Sequence, residues 1–236
     1  MINRLLIIPA RGNSKRIPHK NIKLFNNKPI IGYVLHIAKK SKLFSKIHVS
    51  TESEKVFKVV KKLGFEIDFM RPKKLSRDKT PTIDVLKYVH NVYISKGESY
   101  DEIWTISPCS PLLIINDLKN ASAISKVNKN KITLAITRSP FPIHWSLKKD
   151  KRSYLKPLFK KKLFKRSQDL KKTFFDAGAF AIFPKKLLTK NIKNMENMFV
   201  GFDLPSERSV DIDDIESWKF AEYLHKASLA VKKLNE

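Results

Sequence analysis

The sequence predicts an α/β fold of three layers around a mainly parallel central sheet, and three observations predict it. Short apolar runs of strand length recur between stretches of helical period along the chain. The 236 residues, 42% of them hydrophobic, suffice for one generous domain with a sizeable core. No apolar run approaches the roughly 18–20 residues that span a membrane as a helix.

Leu5, Leu6, Ile7 and Ile8 make the first run, a buried strand over Arg4–Pro9, too short for the apolar stretch of a signal peptide. Residues 29–40 read as a helix with Pro29 in its first turn. A second strand follows at Lys46–Ser50, then an amphipathic helix over 53–63, capped by Ser53 and stopped by Gly64. The alternation Glu66-Ile-Asp-Phe-Met70 predicts a third strand. Ile83, Leu86 and His90 place a helix over Thr82–Ser95. Strands at Glu102–Ile106 and 132–136 flank a helix at 116–127. Strands separated by helices imply right-handed crossovers and a sheet covered on both faces. The rhythm breaks over 138–175, where Pro140, Pro142, Pro157, scattered aromatics and lysine pairs carry no helical period. This segment reads as an insertion projecting from the sheet, a dimerisation arm or lid within a single domain spanning 1–236. The rhythm returns with a strand at 179–183 and closes with a helix over 214–226, leaving 227–236 as a frayed tail.

Forty-eight Lys and Arg against 22 Asp and Glu give a net charge of +26. The lysines are scattered from Lys15 to Lys233, many on outer helix faces such as Lys58, Lys61 and Lys62. RNA-binding aromatic signatures and zinc-finger spacings are missing, so a nucleic-acid partner is not expected. The same positive field favours an anionic, phosphate-bearing substrate. One cysteine, Cys109, excludes an intramolecular disulfide and a cysteine-cluster metal site, and no membrane partner is expected. These features suit a soluble cytoplasmic protein. No base is evident beside Cys109, which reads as a small buried thiol. The six histidines are too dispersed for a metal cluster, and Trp104, Trp145 and Trp218 read as packing residues.

The densest chemical signal is Ile8-Pro-Ala-Arg-Gly-Asn-Ser-Lys-Arg-Ile-Pro-His-Lys-Asn21, at the carboxyl end of the first strand, where α/β sheets bind ligands. Gly12 permits close backbone approach or positive φ. Arg11, Lys15, Arg16 and Lys20 surround exposed amides, which makes a triphosphate cradle. The run is neither a Walker motif nor a dinucleotide-binding Gly-x-Gly-x-x-Gly.

Ala10-Arg-Gly-x-Ser-Lys15 with Ile17-Pro-x-Lys-Asn21 resembles the N-terminal signature of the acylneuraminate cytidylyltransferases, the CMP-sialic acid synthetases. The resemblance extends through Val49-Ser-Thr51, Arg71-Pro72, Ser110-Pro-Leu112 and Asp211-Ile-Asp213. It implies a Rossmann-like nucleotidyltransferase fold, a homodimer whose 138–175 arm reaches the neighbouring site, and transfer of CMP from CTP to the anomeric hydroxyl of an acidic nine-carbon 2-keto sugar. Phe69-Met-Arg-Pro72, Phe141-Pro-Ile143, Arg166-Ser-Gln-Asp-Leu170 and Phe175-Asp-Ala-Gly178 resemble the pseudaminic acid branch of the family. Legionaminic acid and N-acetylneuraminic acid are the alternatives. The octulosonate enzymes usually lack the Lys20-Asn21 ending.

By this resemblance the nucleotide lies against Ala10, Arg11, Gly12, Ser14, Lys15, Lys20, Asn21, Arg71, Thr80 and Thr82. Arg11, Lys15 and Lys20 act catalytically on the phosphates, Lys20 nearest the α-phosphate, and Arg71 suits the cytosine carbonyl edge. Arg16 acquires no role and faces solvent. Asp211 and Asp213 alternate in an extended segment, so both point to one side while Ile212 turns inward. An Asp-x-Asp pair alone is often only a solvated turn. Beside a triphosphate cradle it suits Mg²⁺, which takes oxygen donors and keeps several waters. The family pattern makes Asp211 the base for the sugar hydroxyl, and Asp214 the N-cap of the last helix. Ser107, Ser110, Gln168, Asp169 and Asp176 are the candidate sugar contacts. Where sialic acid enzymes tend to carry Gln-Pro-Thr-Ser-Pro-Leu-Arg, this chain reads Ser107-Pro-Cys-Ser-Pro-Leu-Leu113, which favours a different sugar.

Overall fold

The computed structural model describes residues 2–160, 163–189 and 197–234. β1 (Arg4–Pro9) leads through a short hairpin of β2 (Leu24–Phe25) and β3 (Lys28–Pro29) into α1 (Ile30–Ser41). β4 (Lys46–Ser50), α2 (Glu54–Lys62), α3 (Thr82–Ser95), β5 (Glu102–Ile106), α4 (Ile115–Val127) and β6 (Ile132–Arg138) follow. The predicted insertion contains a separate hairpin, β7 (Leu147–Lys149) and β8 (Leu155–Pro157), and its residues 161–162 lie outside the described residues. β9 (Phe174–Pro184), α5 (Lys185–Thr189), β10 (Phe199–Asp203) and α6 (Ile215–Leu234) complete the order.

Six strands form one sheet in the order β10-β6-β9-β5-β1-β4. All are parallel except β9, which runs antiparallel between β5 and β6. The layers follow from alternation along β1. Leu6 and Ile8 turn toward a core built with Ile31 and Leu35 of α1, Val56 and Val60 of α2, and Leu118 of α4. Leu5 and Ile7 turn the opposite way, toward Leu86, Val89 and Tyr93 of α3 and Leu188 of α5. A third cluster lies at the carboxyl ends of the strands: Ile17, Phe25, Ile30, Cys109, Leu112, Ile212, Trp218 and Ala221. It joins the first loop, the β2–β3 hairpin, the loop after β5 and the start of α6.

Several expectations are corrected. Residues 66–70 form no strand. Ile67 and Phe69 reach opposite cores, which two side chains on one face of a regular strand would not do, and side chains hold the segment against the edge strand β4: Phe69 stacks on His48 at 4.4 Å between ring centroids, and Asp68 accepts from Tyr93 and pairs with Lys46. Burial of period two is met without a ladder. β10, which the sequence reading missed, pairs with β6 through Phe199–Asp203 at the opposite edge. The last helix continues through most of the expected tail, to Leu234, while residues 235–236 lie outside the described residues. Ser53 occupies the N-cap position of α2 without a side-chain capping bond, whereas Asp214 does cap α6, its Oδ1 accepting from Ser217 N at 2.8 Å. Gly64 takes the expected positive φ, 79°. Trp104 and Trp218 are buried, but Trp145 is half exposed in the insertion and donates its indole N–H to Lys165 O. Among the described residues no helix is long and apolar enough to cross a membrane.

Candidate active site

A cleft of about 830 Å³ opens at the carboxyl ends of β1 and β5. Arg11, Ser14, Lys15, Arg16, Lys20 and Asn21 of the first loop line it, together with Arg71, Ser76, Arg77, Asp78, Thr80 and Thr82 from the segment leading into α3. Ser107, Cys109, Asp176, Gly178 and Asp213 also line it. The first loop and the acidic segment, almost 200 residues apart in sequence, therefore share one cleft. The third core cluster brings them there, because Ile17 follows the cationic run and Ile212, 1% exposed, separates the two acids. Burying these two side chains against Cys109 leaves Lys15, Arg16 and Lys20 on one flank, with Asp211 and Asp213 beside them.

The ion pairs divide into two sets. Arg16 donates to Asp213 Oδ1 at 2.8 Å, and Lys20 lies 3.6 Å from the same oxygen while donating to Ile212 O at 2.6 Å. Arg11 and Lys15 instead meet Asp78, at 2.6 and 2.5 Å. Arg16 is thus a cleft residue and does not simply face solvent. Asp211 makes no ion pair among the described residues. Burial raises its carboxyl above the ordinary range, the neighbouring Asp213 and Asp176 add to this, and Lys20 and Arg16 oppose it.

Asp211 stands behind Gly178, whose φ of +62° suits a residue without Cβ; a Cβ there would lie 3.5 Å from the Asp211 carboxyl carbon. The pairing of β6 with β9 shifts register between Leu134 and Ile136. The resulting bulge turns Asp176 and Gly178 into the cleft. Asp176 Oδ1 accepts from Gly178 N at 2.8 Å.

Glu52 was missed by the sequence reading, although it directly follows the segment ending β4, at the sheet end where ligands bind. One carboxylate oxygen accepts from Gly12 N at 2.8 Å and the other from Arg71 at 2.9 Å. Burial alone would raise its carboxyl, but the bonds from Gly12, Arg71 and Ser76 hold it below the usual value. Arg71 is buried at 5% exposure and also donates Nε to Ser76 Oγ. Gly12 does not adopt positive φ. Its missing side chain makes room for Ser53, whose Cβ would lie 2.5 Å from a Cβ at residue 12. Asn21 is buried, donating to Arg11 O at 2.8 Å and accepting from the Cys109 thiol. Burial pushes that thiol up to about 12, in keeping with an inert packing role.

Six of the expected residues do not line the cleft; of these, Gly12 packs against Ser53 and Asp211 stands against Gly178. Ala10 is buried and extends the β1 ladder through its N–H to Ser50 O. Ser110 is buried behind Cys109. Gln168 and Asp169 sit on an exposed turn of the insertion, Ser167–Asp169, where Asp169 pairs with Arg166.

The sequence model of the cytidylyltransferase family matches residues 5–186. Among curated proteins, a pseudaminic acid cytidylyltransferase of Campylobacter jejuni is 34% identical over 233 residues, covering 96% of this chain and 98% of that one. An N-acylneuraminate cytidylyltransferase of Oncorhynchus mykiss is 30% identical over 92% of this chain and 49% of its own length. Among solved structures, a CMP:2-keto-3-deoxy-manno-octonic acid synthetase complexed with CTP superposes with a TM-score of 0.73 at 14% identity, over 96% of this chain and 99% of the other. At that identity the superposition speaks for the α/β fold alone.

Proposed function

The chain belongs to the cytidylyltransferase family, and from that premise we propose that it transfers CMP from CTP to the anomeric hydroxyl of a nonulosonic acid, pseudaminic acid first, releasing pyrophosphate. The observation that carries this reading is the convergence of four loop cations and Asp213 on one cleft, with Asp211 beside them against Gly178. The relative that names pseudaminic acid matches essentially end to end, which supports that choice of sugar.

Arg11 and Lys15 take the outer phosphates, with Ser14 donating beside them. Lys20, held between Ile212 O and Asp213, stands where negative charge gathers at the α-phosphate. Asn21 acts through the Arg11 carbonyl that it fixes. Arg71, aligned by Glu52 and Ser76, reads the cytosine edge beside Thr80 and Thr82. The sugar lies toward Ser107 and Asp176. Its anomeric oxygen bonds to the α-phosphorus as the bond to the bridging oxygen breaks and pyrophosphate leaves with that electron pair. Asp211 takes the hydroxyl proton, a role that its raised carboxyl suits. Positioning and electrostatics do most of this work.

Asp211 and Asp213 also fit Mg²⁺. They are hard oxygen donors whose mutual repulsion a cation relieves, and among the described residues no group of three His, Cys, Asp or Glu is placed to hold a metal, so the remaining positions fall to water and phosphate. When bound, the ion would neutralise phosphate charge and polarise the reacting phosphoryl group.

The insertion belongs to the same proposal, as the dimerisation arm of a single 1–236 domain. Phe141, Tyr154, Leu155 and Phe174 are exposed on it. Pairing with a second copy would cover them and carry Gln168 and Asp169 to the neighbouring cleft. The test incubates the protein with CTP, Mg²⁺ and a panel of pseudaminic, legionaminic and N-acetylneuraminic acids, and measures pyrophosphate. Release is expected with pseudaminic acid, and Lys15→Ala or Asp211→Ala should each lower it by about 10²–10³-fold. Turnover like wild type in either variant refutes the assigned role, and steeply salt-dependent RNA binding without CTP consumption refutes the enzyme reading.

A further inference from the structure

The four cations of the first loop are shared between two carboxylates. Arg16 and Lys20 go to Asp213 of the proposed metal pair, while Arg11 and Lys15 go to Asp78 in the segment before α3. Asp78 is the one acid in the run from Arg71 to Pro81, amid five basic residues, yet it meets both first-loop cations assigned to the outer phosphates. A turn closed by Thr80 N to Arg77 O, just ahead of α3, sets its place. The side chain remains 44% exposed, so water can replace its partners and the carboxylate can leave without dragging core residues. Hydrogen bonds from Lys15 and Arg11 lower its carboxyl from the ordinary value and so favour the ionised form.

We propose that Asp78 is an internal counter-ion for the phosphate-binding cations, a positioning residue that orients Arg11 and Lys15 and that a polyphosphate must displace. The inference rests on the reading of Arg11 and Lys15 as phosphate ligands. Carboxylate and phosphate satisfy guanidinium and ammonium in the same way, so Asp78 and the polyphosphate compete for one set of donors. Each bound phosphate chain then gives up part of its affinity to separating these pairs. The cost falls on CTP and on pyrophosphate alike, and for pyrophosphate it shortens the residence of the product. Asp78 therefore trades tight substrate binding for release, which is useful where departure of product limits turnover.

The test is Asp78→Asn, which keeps the shape and removes the charge, with Asp78→Glu and Lys15→Ala alongside. Titration calorimetry with CTP and, separately, with pyrophosphate should show both binding about three- to tenfold more tightly to Asp78→Asn, the span of two exposed ion pairs. Pyrophosphate should inhibit that variant at correspondingly lower concentration, KM for CTP should fall without a gain in kcat, and Asp78→Glu should return toward wild type. The thermal midpoint without nucleotide should barely move, which a purely structural role would not allow. If Lys15→Ala weakens CTP binding while Asp78→Asn leaves it unchanged or weaker, the counter-ion role is overturned and the phosphate reading stands. If neither variant alters CTP binding, both fall together.

Discussion

Removing the Glu52 carboxylate tests whether one side chain ties the first loop to Arg71. Glu52 is 14% exposed at its side chain and its partner Arg71 only 3%. In Glu52→Ala the guanidinium keeps Ser76 Oγ at Nε but loses its counter-charge, and Gly12 N loses its acceptor. Breaking a buried pair from one side costs about 3–5 kcal/mol, because a desolvated charge stays behind. Arg71 borders the cleft, so water reaches it and the lower end, about 3 kcal/mol, applies. For a chain of this size that corresponds to a fall of about 6–12 °C in thermal midpoint. Both the Gly12 turn and Arg71 lose their anchor, so KM for CTP should rise by about tenfold, or ~1.4 kcal/mol. Glu52→Gln retains one acceptor oxygen and should fall between alanine and wild type on both measures. Because the folded carboxyl is held below its ordinary 4.5, its stabilisation is present above that value and lost as pH falls through the lower folded one; Glu52→Gln should remove that acid-side loss. Calorimetric unfolding with and without CTP, together with steady-state kinetics, reads all of this. A midpoint within about 2 °C of wild type and an unchanged KM in Glu52→Ala would refute the coupling.

Burial and Asp213 raise the Asp211 carboxyl in the protein free of Mg²⁺ and nucleotide, so its NMR titration there should lie above that of an ordinary aspartate, and Asp213→Asn should move it to lower pH; an unshifted carboxyl would refute this. His48 is buried neutral at about 4 against 6.5 when exposed, so the stability linked to it is present above 6.5 and lost as pH falls through about 4; His48→Phe should flatten this part of the curve of thermal midpoint against pH. Gly178→Ala should cost about 1–2 kcal/mol in thermal unfolding through its left-handed backbone, the added methyl itself making only an ordinary contact with Asp211. An unchanged midpoint in that variant would refute the backbone argument.

The parts of the fold that were legible in the sequence are those whose burial is local. The four apolar residues of β1 read as a strand buried on both faces, Thr82–Ser95 matched its helical period to the residue, and Val210 to Asp214 read as extended with Ile212 inward. Residues 66–70 misled because side-chain alternation reports which residues are covered, here Ile67 and Phe69, and cannot say whether a neighbouring backbone is free to pair. β10 escaped notice because Phe199-Val-Gly-Phe-Asp203 is short and carries a glycine. The continuation of α6 was missed because its second half keeps Leu229, Val231 and Leu234 exposed, with no buried stripe to signal it.

The sequence by itself determined the chemical inventory: a cationic loop at the end of the first strand and two acids on one side of an extended segment, both set by spacings of a few residues. Only the tertiary structure decided which acid serves which cation, that Arg16 and Asp78 line the cleft, and that Glu52 joins Gly12 to Arg71. The reason is range: the pairs Arg16–Asp213 and Arg11–Asp78 join residues 197 and 67 positions apart. What brings the loop to the distant acids is the burial of Ile17 and Ile212 in a shared apolar cluster with Cys109, and no local pattern in the chain encodes that meeting.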